Sequence, residues 1–360
     1  MKLSKHEKVL TGHYPTPLDK MVNLSKKINK GELYIKRDDM TGLGFGGNKS
    51  RKLDYIVKEA IDHGYTTLLT YGGPQTNHGR MTAAAAAKFG LKSILMCYGN
   101  PPKHASGNII LDRMLGTEIC FMDTTEVRQV PAEKQFEAYY KLRDDSTDAI
   151  IKRYEEQGEK VYVVPIGGHS VIGTIGYIDA VVEIMNQLKD QAVSADYLVT
   201  GFGSTGTFAG LWLGAKYYQV PFEVVGISVA PIDAKKIEDT AKFINQVSQE
   251  LGLGITCQSK DLWIEGDYYG EGYNIPDAIT RKYMLMLAET EGIFLDPCYT
   301  GKSFRGFIDI IEKGKIPSGK TSIYLHTGGT PAIWTEEHLK AMEDELWNKD
   351  QITIFEYQKV

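Results

Sequence analysis

At 360 residues the chain is long for one hydrophobic core, so two lobes are expected. A formal net charge of -5 without a basic block argues against a nucleic-acid surface, and no stretch approaches the ~18 apolar residues of a membrane span. No N-terminal apolar run reads as a signal peptide, and Cys97, Cys120, Cys257 and Cys298 have neither CxxC nor zinc spacing, so a reduced, cytoplasmic setting is expected.

The chain opens with an extended or turn segment, Tyr14-Pro15-Thr16-Pro17-Leu18, and a short helix is expected over 19–29. Leu33-Tyr34-Ile35-Lys36-Arg37 alternates and is β-prone, which predicts a strand. Gly44, Gly46 and Gly47 follow. Then Leu53, Ile56, Val57, Ala60 and Ile61 recur at helical spacing, which puts Lys49 at a helix start. An ammonium at the positive end of a helix, in a partly dry site, loses its proton readily, and a neutral amine is what a Schiff base requires. A solvated surface lysine is the ordinary alternative. Further glycine-rich segments downstream weigh against it.

Strands are expected over 66–71, 93–98 and 118–122, with helices after Arg80 and over 108–115. Residues 132–157 read as a charged helix or helix pair. Together 53–158 form a small open α/β lobe. A second series starts with a strand at 160–165 and a helix at 174–188. It continues with strands at 195–200, 222–229 and 322–326, and with helices after Thr207 and at 234–251, 276–291, 301–313 and 336–347. Such alternation predicts parallel sheets, whose ligands bind at the carboxyl ends of strands, where the glycine-rich turns fall.

Gly203-Ser204-Thr205-Gly206-Thr207 follows a strand and opens a helix, a cradle of N–H groups and hydroxyls for a phosphate. A dinucleotide reading of Gly201, Gly203 and Gly206 lacks its acid, since Glu223 comes too early. The Gly301-Lys302-Ser303 run lacks the upstream P-loop glycine, where Asp296 stands. No HExxH or clustered ligand set suggests a metal. Gln75-Thr76-Asn77-His78-Gly79-Arg80 could receive a carboxylate at a helix start, with Thr76 or Asn77 as the cap. Tyr273 and Tyr299 each lie in a turn before a helix.

In order, Gly46-Gly47-Asn48-Lys49-Ser50-Arg51-Lys52-Leu53, Gln75-Thr76-Asn77-His78, Pro165-Ile166-Gly167-Gly168, Gly203 to Thr207, Leu295-Asp296-Pro297-Cys298-Tyr299-Thr300-Gly301-Lys302 and His326-Thr327-Gly328-Gly329 resemble the D-cysteine desulfhydrase and 1-aminocyclopropane-1-carboxylate deaminase family of pyridoxal-phosphate enzymes. The resemblance implies an α/β, tryptophan-synthase-β-like fold (fold type II). This has two open, twisted, mostly parallel sheets with helices on both faces, usually in a homodimer. The large cofactor-binding domain would comprise 1–52 plus 159–360, and the small one 53–158. Lys49 would be the Schiff-base lysine. Gly203, Ser204, Thr205, Gly206 and Thr207 would hold the phosphate of pyridoxal 5'-phosphate. Asn77 would bond the ring hydroxyl, Thr327 with Thr300 nearby would face the ring nitrogen, and Tyr299 would stack on the ring. Thr76, Asn77, His78 and Gly79 would receive the carboxylate of a small amino-acid substrate.

Within that family, Thr300 and His78 match the desulfhydrase branch, because the deaminase carries glutamate and glutamine at those places. Thr76, His169 and a longer 124–148 segment depart from the usual pattern. The expected activity is β-elimination from D-cysteine to pyruvate, sulfide and ammonia. Lys49 would act as base and Tyr273, Tyr299 or Thr76 as acid. Cyclopropane ring opening and sulfonate elimination from cysteate are alternatives. A non-catalytic phosphometabolite-binding protein is the reading from another class.

Overall fold

The computed structural model describes residues 6–272 and 274–347, with 353 and 355. Two sheets organise it. The larger runs β1 (Leu18–Lys20), β2 (Leu33–Arg37), β10 (Ser322–His326), β7 (Tyr197–Phe202), β8 (Glu223–Ser228) and β9 (Trp263–Glu265). The smaller runs β5 (Glu118–Met122), β4 (Lys92–Tyr98), β3 (Thr67–Gly72) and β6 (Val161–Val163). Every pairing is parallel except β1 with β2.

Two boundaries differ from expectation. Leu18–Lys20 pairs antiparallel with β2, where a helix was expected from residue 19; α1 spans Val22–Ile28. Strand β6, expected to open the second series, hydrogen-bonds to β3 and so belongs to the small sheet.

The connecting helices cover both sheets. In the first half these are α2 (Lys49–Asp62), α3 (Asn77–Lys88), α4 (Asn108–Met114) and the single long α5 (Ala132–Glu155). In the second half they are α6 (Val171–Asp190), α7 (Gly206–Tyr217), α8 (Ala234–Leu251), α9 (Ala278–Glu291), α10 (Thr300–Glu312) and α11 (Glu336–Leu346). Helix α7 is apolar on nearly every side and buried, as befits a helix enclosed by protein. Its Gly210 lets α6 lie close: a Cβ there would stand 2.5 Å from Tyr177 Cβ. A buried ionic cluster ties α2 to the large sheet. Arg51 contacts Asp38 and Glu183, each at 2.8 Å, and holds the Asp38 carboxyl down at about 2 against the opposing cost of burial. Among the described residues no helix is long and apolar enough to cross a membrane.

Candidate active site

The turns that follow β2, β3, β6, β7 and β10 converge on a cavity of about 120 Å³ between the sheets. Its wall includes Lys49, Thr76, Asn77, His78, Gly203, Ser204, Thr205, Thr207, Tyr299 and Thr327. Gly79, Gly206 and Thr300 do not line it, and Tyr273 lies outside the described residues.

Lys49 is the first residue of α2. Its Nζ donates to Asn48 Oδ1 at 2.8 Å, and Asn48 Nδ2 donates to Thr207 Oγ1 at 2.9 Å. One amide thus links the amine to the Gly203–Thr207 turn. Dehydration, reinforced by the Arg80 charge and opposed by Asp296, brings the Lys49 ammonium down to about 8. The close fit needs glycine behind it: a Cβ on Gly167 (φ 70°) would stand 2.4 Å from Ser204 Oγ.

Thr76 caps α3. Its Oγ1 accepts from Gly79 N at 3.1 Å, which takes the Gly79 N–H for the helix and leaves the Thr76 hydroxyl proton to donate. Asn77 Oδ1 accepts from Arg80 Nη1 at 3.0 Å and from Asn108 Nδ2 at 2.9 Å, so its Nδ2 is the end left for a ligand. The His78 ring bonds Thr70 Oγ1 at 2.9 Å, while the Thr70 hydroxyl donates to Val164 O at 2.8 Å. We therefore assign the proton to His78 Nε2. Burial, with Lys49 and Lys52 close, holds the imidazole neutral, and its buried Nδ1 has no hydrogen-bond partner among the described residues.

Thr300 was expected near the ring nitrogen and is not among the residues that line the cavity. It opens α10 fully buried, its hydroxyl donating to Asp296 Oδ1 at 2.5 Å and accepting from Asp296 N at 2.7 Å. Asp296 also accepts from the backbone N–H groups of Cys298, Tyr299 and Thr300 at 2.8–2.9 Å, and so shapes the turn that carries Tyr299. From this side the cavity wall is formed by Thr327 and Gly328. Lys302, from the rejected P-loop run, is structural: its Nζ donates to Tyr269 O and Gly272 O.

The Gly203–Thr207 turn concentrates positive charge. It supplies the N-terminus of α7, and Thr205, β-branched at φ 66°, is a strained residue of the kind found at ligand clamps. Behind it stands Lys52, fully buried, whose Nζ donates to Gly167 O at 3.0 Å and would lie 3.1 Å from a Cβ on Gly206. Burial and the Lys49 charge push the Lys52 ammonium well below the lysine range. His169, on Thr205 Oγ1 at 3.2 Å, is lowered to about 4 by burial, then by Lys52 and Lys236. Lys52 sits within the quoted motif, and its spacing of three from Lys49 on a helix is the signal that places both on one face.

The chain belongs to the family of pyridoxal-phosphate dependent enzymes, whose model matches residues 9–328. A protein of Pyrococcus abyssi provisionally named 1-aminocyclopropane-1-carboxylate deaminase is 33% identical over 332 residues, 92% of this chain and 94% of its own. A D-cysteine desulfhydrase of Salmonella paratyphi B is 34% identical over 325 residues, 89% of this chain and 93% of its own. The solved structure of an ACC deaminase homologue superposes with a TM-score of 0.81 at 32% identity, covering 96% of this chain and 97% of that one. O-ureido-L-serine synthase, at 16% identity and a TM-score of 0.63, shares the fold. The expected fold type II architecture and the pyridoxal 5'-phosphate cofactor are thereby established. The residues present fit that cofactor. A buried lysine amine with no carboxylate partner among the described residues, beside a helix N-terminus, suits a phosphate dianion that would protonate it, and a half-buried amine of lowered basicity suits its aldehyde.

Proposed function

We propose that the protein is a pyridoxal-phosphate-dependent lyase. It performs β-elimination on a small amino acid, D-cysteine above all, to give pyruvate, sulfide and ammonia, and works as a cytoplasmic homodimer. The observation that carries this reading is the chemistry of the cavity wall, which has a reactive lysine, hydroxyls and a neutral imidazole but no carboxylate among the described residues. The 34% identical desulfhydrase adds support.

Bound cofactor supplies an electron sink that acidifies the α-proton of an attached amino acid. Gly203, Ser204, Thr205, Gly206 and Thr207, with Lys52 behind them, would hold its phosphate. Asn77 would present Nδ2 to the ring hydroxyl, Tyr299 would pack against the ring, and Thr327 would meet the ring nitrogen. Thr76 donates its hydroxyl proton to the substrate carboxylate, joined by the N–H groups of Asn77 and His78 at the start of α3. Lys49 would accept the α-proton at Nζ, and the value of about 8 makes it a competent base near neutrality. A hydroxyl rather than a carboxylate beside the ring nitrogen would favour prompt loss of a β-leaving group. Tyr299 or Tyr273 would protonate the departing sulfur.

The test supplies D-cysteine, L-cysteine, β-chloro-D-alanine, cysteate and 1-aminocyclopropane-1-carboxylate to the holoenzyme and measures pyruvate, α-ketobutyrate and ammonia. Pyruvate from D-cysteine is expected. Formation of α-ketobutyrate from the cyclopropane substrate with D-cysteine untouched would replace this reading by ring opening.

A further inference from the structure

Beside the mouth of the Lys49 cavity lies a second hollow of about 440 Å³, lined by Tyr98, Phe136, Tyr139, Tyr140, Arg143 and Ile166. Topology puts it there. Tyr98 ends β4, Ile166 follows β6, and Thr76 with Asn77 follows β3. These strands are parallel, so all three points share the carboxyl edge of the small sheet. Ile166 belongs to the walls of both hollows.

The outer wall is α5. Phe136 and Tyr140, one turn apart, are 73% and 42% exposed, with ring centroids 4.5 Å apart. Tyr139 packs on Tyr98 at 4.6 Å. The Arg143 guanidinium lies 4.4 Å over Tyr140 and 5.7 Å over Tyr71, its charge paired with Asp144 at 2.7 Å. The hollow therefore offers ring faces and a neutralised guanidinium plane. A solvent-facing helix surface ordinarily carries polar residues at such positions.

We propose that this aromatic bay receives the β-substituent of larger substrates, so that the site takes S-aralkyl- and S-aryl-D-cysteines as well as D-cysteine. The inference rests on the β-elimination reading and names its substrate class. Lys49 takes the α-proton and the Cβ–S bond breaks with its electron pair on sulfur. Sulfur gains a proton and leaves as a thiol, and water converts the aminoacrylate to pyruvate and ammonia, so no redox partner is needed. Aromatic rings and thioether sulfur are both recognised by ring faces and edges.

The holoenzyme is assayed with D-cysteine and S-benzyl-D-cysteine, as wild type and as Phe136→Ala and Tyr140→Ala, exposed positions at which folding is not at stake. Each substitution should cut kcat/KM for S-benzyl-D-cysteine by roughly tenfold and leave that for D-cysteine unchanged. A readout independent of turnover is calorimetric binding of 3-(benzylthio)lactate, which has no amine. Wild type should bind it at least ~10-fold tighter than 3-(methylthio)lactate, and the variants should lose that preference. Turnover of D-cysteine with neither turnover nor binding of the benzyl compounds overturns the bay alone. So does equal behaviour of the variants, or dissociation of the oligomer on substitution, which would make the patch a subunit interface. Inactivity on every β-substituted substrate would instead sink the elimination reading, and the lactate binding would still decide on the bay.

Discussion

Arg80 donates to Asn77 Oδ1 at 3.0 Å and, through its other terminal nitrogen, to Gly46 O at 3.1 Å, so one buried guanidinium braces both the start of α3 and the loop leading to Lys49. Its positive charge also disfavours the Lys49 ammonium. Removing that charge should therefore raise the Lys49 value. In cofactor-free protein, amine-selective labelling resolved at the Lys49 peptide should titrate near 8 in wild type. In Arg80→Met the midpoint should move toward the ordinary lysine value of ~10.4. An unmoved midpoint would remove Arg80 from the electrostatics of the site.

Lys52 gives a prediction of opposite signs in two states. Without cofactor it is a buried amine whose hydrogen bond goes to a carbonyl, and on the proposed reading a bound phosphate would give it an anionic partner. Lys52→Met should raise the Tm of the apoprotein. The same change should weaken cofactor binding by about 10- to 100-fold, the worth of one charge-assisted hydrogen bond. Thermal shifts with and without cofactor, and cofactor titration, measure both. A fall in apoprotein Tm without loss of affinity would place the phosphate elsewhere.

Much of this was readable from the residues. Strands β2 and β10 and helix α8 fall where alternation and helical periodicity put them, because buried parallel strands and a long amphipathic helix carry strong patterns. The short strands β1 and β9 show no such pattern; pairing with a neighbouring strand, which is a tertiary fact, creates them. Strand β6 was legible as a strand, but its partner was not: pairing with three residues of β3 cannot be read from a local window. Thr300 is instructive for the site. Adjacency to Tyr299 suggests a shared ligand, but opening α10 sends its side chain back onto Asp296.

That contact carries its own prediction. Thr300→Glu would bury a second carboxylate against Asp296, so it should destabilise the fold by about 3–5 kcal/mol, as an unpaired buried charge does. Thr300→Ser, which keeps the hydroxyl, should be tolerated. Chemical denaturation of the two variants measures this. A fully stable glutamate variant would show that the side chain turns outward, toward the cavity.

Asp112 in α4 is fully buried, and neither carboxyl oxygen has a hydrogen-bond partner among the described residues. Burial raises its value to about 7, against the opposing pull of Arg80. The folded value lies above the unfolded ~3.9, so folding favours the protonated form. Its contribution is complete below the unfolded value and is lost as pH climbs through about 7. Asp112→Asn cannot ionise. Its stability relative to wild type should therefore grow between about pH 4 and 7 and level off above, by a few kcal/mol at most. Urea midpoints at pH 5 and pH 8 measure the gap. An equal gap at both would mean that Asp112 does not titrate in this range.

The most direct test of Lys49 as the cofactor-bearing amine is borohydride reduction of the holoenzyme followed by peptide mapping. The pyridoxyl-phosphate mass should appear on the peptide carrying Lys49 and on no other, and Lys49→Ala should lose the label together with several orders of magnitude in turnover. A label on Lys52 or another lysine, or a Lys49→Ala variant with near-normal turnover, would contradict the account.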